Sequence, residues 1–384
     1  MNLFDIAVVL AALLAIAGGW RLGLVTRALG WLGALAGLAI AVAAVPALTN
    51  WMDPSSDVGV LLLTAGGFVA LVAIGQSVGV AIGSRLRPRT EDQHLRIADS
   101  LGGSVLGVVG VVVIVWLLVP LLSVTEGWVS STTRTSAVAR AVSDHLPEPP
   151  ARLRELERNL ANGSFPELFA NLQPSPELPP PPDGSPIAAD LLSQVAASSA
   201  RVQGEACGLV QSGSAFSVGD GIWLTNAHVV AGTELTTLTA PDGTTGTGRV
   251  VAFDPATDLA MVRSDLLRPA LALGTATESA AGLVLGFPGG GPFEPSPHEV
   301  GDMIDATGYD IYDQELVRRP LLVLSANLEP GDSGSAVLDS TGALIGIAVA
   351  IAPDQPGVAY ALDVSTLAGL APALAPIDTG DCLD

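Results

Sequence analysis

The chain has 384 residues, 49% of them hydrophobic, and sets 38 acids against 17 basic residues, every one an arginine, for a formal charge of −21. That balance excludes a nucleic-acid partner, because there is no basic stripe to meet phosphates, and the length allows two or three domains. Both biases are local: residues 1–125 hold six arginines and six acids, so the whole acidic excess follows them, while the apolar excess lies mostly before.

In chain order, four apolar stretches come first, at about 3–19, 28–48, 58–83 and 101–122. Each is long enough to cross about 30 Å of hydrocarbon at 1.5 Å per residue. The last, LGGSVLGVVGVVVIVWLLVPLL, has no charge in 22 residues. The first lacks the positive leader of a signal peptide, its only early charge being Asp5, and is expected to remain as a span. Arginines then set the orientation. Arg21 and Arg27 lie between spans one and two, and Arg85, Arg87, Arg89 and Arg96 between spans three and four, whereas the loop PALTNWMDPSSD has none. Four spans with both basic loops in the cytoplasm put everything after residue 125 outside the plasma membrane. Gly33-x3-Gly37, Gly75-x3-Gly79-x3-Gly83 and Gly103-x3-Gly107 would let helix backbones approach closely, although glycine is simply common here. No intramembrane charge pair marks a transport path. These spans resemble the membrane segment of the colicin V production protein family.

Residues 130–172 read as one or two short helices in a solvated stalk. PSPELPPPPDGSP (174–186) is expected to be extended and stiff and to pack into no core. The organisation is therefore 1–125 membrane domain, 126–186 stalk and Pro-rich linker, and 187–384 a second folded domain. From 187 the texture becomes short apolar runs punctuated by Gly, Pro and Asp: GIWLTN, ELTTLTA, GRVVAFD, LAMVRS, GLVLGF, PLLVLSA and ALIGIAVAIA. Regular short strands with turn signals point to an all-β barrel or sandwich. Cys207 and Cys382 fall on the exported side, where disulfides persist. A bond between them would tie the tail to the domain's start. Closing a loop of about 175 residues contributes on the order of 4–5 kcal/mol in the chain-entropy model. Two free thiols or an intermolecular bridge are the alternatives.

Three residues of the β-rich half form a constellation. His228 ends an apolar strand in SGSAFSVGDGIWLTNAHVVAG, Asp258 opens another in DPATDLAMVR, and Ser333 sits in the bend of NLEPGDSGSAVLDSTGALIGI. The order His, Asp, Ser is that of the chymotrypsin-type triad. A serine hydroxyl is a poor nucleophile until an imidazole takes its proton, and the imidazole needs a carboxylate to fix its tautomer. Gly331 lets the backbone turn its N–H, with that of Ser333, toward a developing oxyanion. Asp254 is a rival carboxylate, but Pro255 after it signals a turn.

These blocks, with GLVLGFPGGG, resemble the trypsin-like serine proteases of the bacterial HtrA type. Together with the membrane half they look like the actinobacterial membrane-anchored periplasmic serine proteases associated with acid resistance. The resemblance implies a four-span helical membrane domain followed by an all-β chymotrypsin-like double β-barrel, with the site in the cleft between barrels. It implies His228 as general base, Asp258 as its orienting acid, Ser333 as nucleophile and Gly331 with Ser333 as oxyanion hole. The terminal cysteine pair also fits that family. The chain departs from Gly-Asp-Ser-Gly-Gly-Pro at Ser335 and Ala336, and carries Ala215 where a glycine is usual. Only 51 residues follow Ser333, enough to finish a second barrel but too few for a C-terminal peptide-binding domain. Asn327, six residues before Ser333, falls where this fold has the floor of the primary pocket. No acid stands there, so cleavage after apolar residues is expected to exceed cleavage after Arg or Lys. The partners expected are protein or peptide substrates of the cell envelope and the lipid bilayer, with no cofactor and no metal. A catalytically weak protease-like scaffold that binds envelope partners is the alternative.

Overall fold

The computed structural model describes residues 2–52, 57–86, 92–125, 127–147, 169, 172–206 and 208–383. They form two compact units, Met1–Leu118 with Ser136–Val138, and Val119–Thr135 with Ala139–Asp384.

The first unit is built on three helices, α1 (Leu3–Met52), α2 (Asp57–Leu86) and α3 (Gln93–Ser123). Leu14, Leu35, Val69 and Val105 stay exposed on their outer faces, as expected of helices that are apolar all round. Among the described residues three segments are long and apolar enough to cross a membrane: Leu3–Val45, Gly66–Leu86 and Gln93–Ser123. The stretches 3–19 and 28–48 both fall in α1, which breaks at Gly23 (φ 78°, ψ 168°). Glycine takes that conformation at no steric cost. Asp99 of α3 accepts the amides of Leu24 (2.9 Å) and Val25 (3.5 Å), so the chain after the break starts as a helix with its own capped N-terminus. The glycine stripes lie at the helix seams. Gly33 meets Gly75, Gly79 meets Leu29 and Gly30, and Gly103 meets Gly19, each so closely that a Cβ would strike facing backbone.

In the expected stalk, α4 (Trp128–Arg134) and α5 (Ala137–His145) are the short helices. After α6 (Ala189–Ala196) come β1 (Ser199–Ala206), β2 (Leu209–Gly219), β3 (Ile222–Thr225), the single turn α7 (Ala227–Val230), β4 (Thr236–Thr239), β5 (Thr245–Asp254) and β6 (Leu259–Ser264). They close an antiparallel barrel in the order β1-β2-β3-β6-β5-β4. Then follow β7 (Ala281–Gly286), β8 (Glu294–Tyr309), β9 (Leu316–Ala326), β10 (Ala336–Asp339), β11 (Leu344–Ile351) and β12 (Val358–Asp363), closed as β10-β11-β12-β9-β8-β7. Trp223, Leu238 and Val262 fill the first barrel. Across the seam, Phe216, Leu224 and Leu259 of the first barrel share one core with Leu285, Leu338 and Val349 of the second. Burying each such large side chain contributes about 1.5–3 kcal/mol, so the seam between the barrels is a strongly held surface.

Two features go beyond the sequence reading. GPFEPSPHEVG is proline-rich, yet residues 294–297 open β8. They pair with β7 alone, Pro295 opposite Leu285 and Pro297 opposite Leu283, while pairing with β9 starts at His298. Proline has no ladder donor and is tolerated where one side of the strand is unpaired. The second is a correction: the linker, though irregular from residue 172 to 182, does pack on the protease-like unit. Ser175 bonds Asp354 through N (3.0 Å) and Oγ (2.7 Å), Ser325 Oγ donates to Pro179 O at 2.6 Å, and Leu178 covers Gly301. Prolines lack N–H groups, so this segment can lie on a barrel without stranding donors.

Candidate active site

The end of β3 delivers Asn226 in extended conformation and α7 turns His228 inward. Its Nδ1 lies 2.7 Å from Asp258 Oδ2, and its backbone N–H donates to Asp258 Oδ1 at 2.9 Å. Asn226 Nδ2 donates to the Asp258 carbonyl at 2.9 Å. Asp258 is fully buried, at a φ of 58°, a left-handed conformation that aspartate tolerates better than most residues. Both carboxylate oxygens are thus occupied by one histidine. An Nδ1–H donated to that carboxylate leaves the Nε2 lone pair free to accept a proton. The rival Asp254 is used otherwise: it accepts Thr257 Oγ1 at 2.6 Å and Ala256 N at 3.0 Å, capping its own turn.

Ser333 sits in the loop between β9 and β10. The carbonyls around it are pulled away: Pro330 O accepts from Gly289 N (2.6 Å), Gly331 O from Ser214 Oγ (2.8 Å) and Ser333 O from Ser214 N (2.8 Å). Gly331 (φ 105°) has no room for a side chain, since a Cβ would lie 2.6 Å from Phe287 O and 2.7 Å from Gly290 N. Among the described residues the Gly331 and Ser333 amides donate to no acceptor. Two free N–H groups in one tight turn are what a transient oxyanion needs. Gly334 (φ 83°) presses on Ser214 O, Thr225 Oγ1 and Asn226 N, two residues ahead of His228. A Cβ on Gly213 would meet the Val229 side chain on one side and Ser333 O, at 3.1 Å, on the other. Close packing therefore brings the two barrels' contributions together. Among the described residues, His228 Nε2 and Ser333 Oγ are both buried and neither has a hydrogen-bond partner. Buried polar atoms are rarely left so, which marks both as candidates to meet a ligand.

The departures from the usual motif are buried parts of this loop. Ser335 is fully buried with an unpartnered Oγ, and Ala336 starts β10. Ala215, also fully buried, pairs with Ala200 of β1. Asn327 stands exposed at the end of β9, its Oδ1 3.7 Å from where a Cβ on Gly357 would be. Cys382 lies beside Gly232 and Ala206, and Cys207 is outside the described residues. No group of three His, Cys, Asp or Glu among the described residues is arranged to hold a metal.

Three buried ionisable residues were not singled out from the sequence. Arg319 of β9 is 2% exposed, with Nε donating to Ala256 O (2.7 Å) and Nη2 to Tyr309 O (2.9 Å). Burial lowers its pKa, and the field of Asp258, Asp310 and Asp254 opposes that, so it is a buried cation behind the His228–Asp258 pair. The signal was strand alternation, which turns Arg319 inward and Arg318 outward. His298 is fully buried in β8, its Nε2 2.9 Å from Leu338 O, and burial pulls its pKa down to about 4.

Asp332 is the third. It is 2% exposed, accepts Glu329 N at 2.9 Å, and burial pushes its carboxyl up to about 6, with Glu329 and Glu294 adding repulsion. A folded pKa above the unfolded value of 3.8 means stability that is present below pH 3.8 and lost as pH rises through about 6. Asp332→Asn keeps an acceptor for Glu329 N and removes the charge. The variant is expected to be more stable than the parent at pH 7, by up to about 3 kcal/mol at about 1.4 kcal/mol per pKa unit. The gap should close as pH falls below 4. Thermal melts of both proteins from pH 4 to 8 check this, and a gap independent of pH would overturn it.

Comparisons with known proteins bear on both units. The family "Colicin V production protein" matches residues 4–147, and "Trypsin-like peptidase domain" matches residues 213–347. Serine protease Rv3671c of Mycobacterium tuberculosis is 30% identical over 99% of this chain and 98% of its own. The crystal structure of the active form of that protease aligns with a TM-score of 0.50 at 31% identity, covering 55% of this chain and 99% of that one. The putative serine protease HhoA of Synechocystis is 31% identical over 43% of this chain and 41% of its own.

Proposed function

Because this chain belongs to the family of serine proteases that join a colicin V production domain to a trypsin-like peptidase domain, we propose that it is a membrane-tethered endopeptidase of the cell envelope. His228 is the general base, Asp258 its orienting acid, Ser333 the nucleophile, and the Gly331 and Ser333 amides the oxyanion hole. The observation that carries this reading is the 2.7 Å His228–Asp258 contact combined with an unpartnered Nε2 and an unpartnered Ser333 Oγ. In the first step Ser333 Oγ attacks the scissile carbonyl while Nε2 takes its proton. The oxyanion is held by the two amides, and the imidazolium returns the proton to the leaving amine. Water repeats the sequence to release the acyl group. A binding scaffold would have no use for two unoccupied amides beside a bare hydroxyl.

Around this core, residues 1–125 are read as the membrane domain, 126–186 as the linker and 187–384 as the protease. Gly23 separates two crossings within α1, giving four spans, with the basic loops cytoplasmic and the protease extracytoplasmic. The capped helix start at Leu24 supports that separation. Cys207 and Cys382 pair, supported by the placement of Cys382 Sγ and Ala206 Cβ within 3.3 and 3.4 Å of one point beside Gly232. The Cys207–Cys382 tie and the titration of Asp332 suit an envelope enzyme working under oxidative or acid stress, on protein or peptide substrates, with Asn327 at the primary pocket.

The test uses the full chain in lipid nanodiscs with a fluorophosphonate probe, with and without reductant. Labelling of the parent, absent from Ser333→Ala and His228→Ala, and weakened by reductant, is the expected result. A folded parent that takes up no label would overturn the assignment.

A further inference from the structure

The Pro-rich linker runs along one face of the second barrel and reaches the Gly357 turn near Asn327. The Phe169 and Tyr360 rings meet edge to face at 5.2 Å, and Tyr360 OH donates to Ser175 Oγ at 2.9 Å. Ser175 in turn grips Asp354, which is 6% exposed in the turn between β11 and β12. Leu178 fills the space left by Gly301, and Ser325, 2% exposed at the end of β9, holds the Pro179 carbonyl at 2.6 Å. Pro181 then comes to Gly357. A Cβ there would lie 3.1 Å from Pro181 Cδ, 3.2 Å from its Cγ and 3.7 Å from Asn327 Oδ1. Gly357 O accepts from Ala326 N at 2.9 Å, which locks the start of β12 to the residue preceding Asn327.

We propose that Pro179–Pro181 form a wall of the primary specificity pocket, so that the linker between the two units makes the enzyme selective for small apolar side chains, of alanine or valine size, before the scissile bond. This rests on the serine-protease reading above, with Asn327 at the pocket floor. The pyrrolidine of Pro181 takes up volume between Asn327 and Gly357 that a leucine or phenylalanine side chain would need. Proline suits the place twice over. It has no N–H to strand in an apolar wall, and its fixed φ keeps the ring in position at little entropic cost. Discrimination of this kind is substantial, because one methylene in a hydrophobic pocket is worth roughly 10–200-fold in kcat/KM.

The experiment is a set of peptides differing only in the residue before the cleaved bond, Ala, Val, Leu or Phe, assayed on the full chain in nanodiscs. The proteins compared are the parent, Pro181→Gly, which removes the ring, and Ser325→Ala, which frees the Pro179 carbonyl without altering the lining. Cleavage products ending in each residue are also bound to the same three proteins carrying Ser333→Ala, read by fluorescence anisotropy. The parent should prefer Ala and Val. In both variants the Leu:Ala ratio of kcat/KM, and the ratio of binding constants, should rise at least about tenfold. Unchanged ratios in either variant that still folds, or equal losses for all four peptides, overturn the proposal. A parent that binds the peptides with this preference but cleaves none would instead sink the protease reading and leave the pocket wall standing.

Discussion

Ser333→Ala, His228→Ala and the variant carrying both should all fall to about the same residual kcat, lower than the parent by a factor on the order of 10⁶. The reason is that on the proposed reading nucleophile and base form one machine. Among the described residues neither His228 Nε2 nor Ser333 Oγ has a hydrogen-bond partner, so on that reading each has only the other to serve. Once either is gone, the remaining one has nothing to do. What remains comes from the Gly331 and Ser333 amides, which still polarise a carbonyl for attack by water. Substrate affinity should change little, since neither change reaches Asn327 or Pro181. Single-turnover kinetics with a chromogenic acyl ester measures all three. If the double variant were slower than the parent by the product of the two single losses, the two residues would be acting independently and the pairing would be wrong.

For Asp258→Asn the expected loss is about 10⁴ in kcat, with the fold intact. Asparagine fits the φ of 58° at least as well as aspartate. Its side-chain oxygen can still accept the His228 amide that Oδ1 accepts now at 2.9 Å. The nitrogen then faces His228 Nδ1 across 2.7 Å and must donate to it. That forces the imidazole proton onto Nε2, where a base can no longer take a proton from Ser333. The melting temperature should stay within a few degrees of the parent's while acylation slows. Nuclear magnetic resonance of the ring nitrogens separates this from simple misplacement of the ring. A spectrum with the proton still on Nδ1, or a loss below tenfold, would sink the tautomer argument. Arg319 bears on the same point, since it is a buried cation behind this carboxylate, whose field opposes the effect of burial on the guanidinium.

Much of the molecule is legible in residues that are neighbours in sequence. A run such as LGGSVLGVVGVVVIVWLLVPLL can satisfy its backbone in lipid only as a helix. Pro330-Gly331-Asp332-Ser333-Gly334 can only be a tight turn, and His228 and Asp258 each carry their motif with them. Hydropathy, turn chemistry and motif order are properties of short windows, so they carried the helical and β-rich halves, most strands and the candidate His, Asp and Ser.

What the windows could not hold was decided where distant segments meet. Asp254 and Asp258 are four residues apart: Pro255 marked the first as a turn residue, and the geometry of β3 and α7 is what brings His228 onto the second. The prolines of β8 sit in a strand because one of its edges is unpaired there, which a sequence does not say. The linker composition forbids a core of its own, yet Ser325 and Asp354, about 150 and 180 residues away, supply partners that hold it down. Asp332 and His298 look like ordinary surface residues until the barrels close over them and remove the water their charged forms need. Sequence by itself determined which chemical groups this protein carries and the local turns that present them. Burial depends on which surfaces far apart along the chain exclude water together, so the tertiary structure alone decided which of those groups are paired, which stay free to react, and where the linker lies.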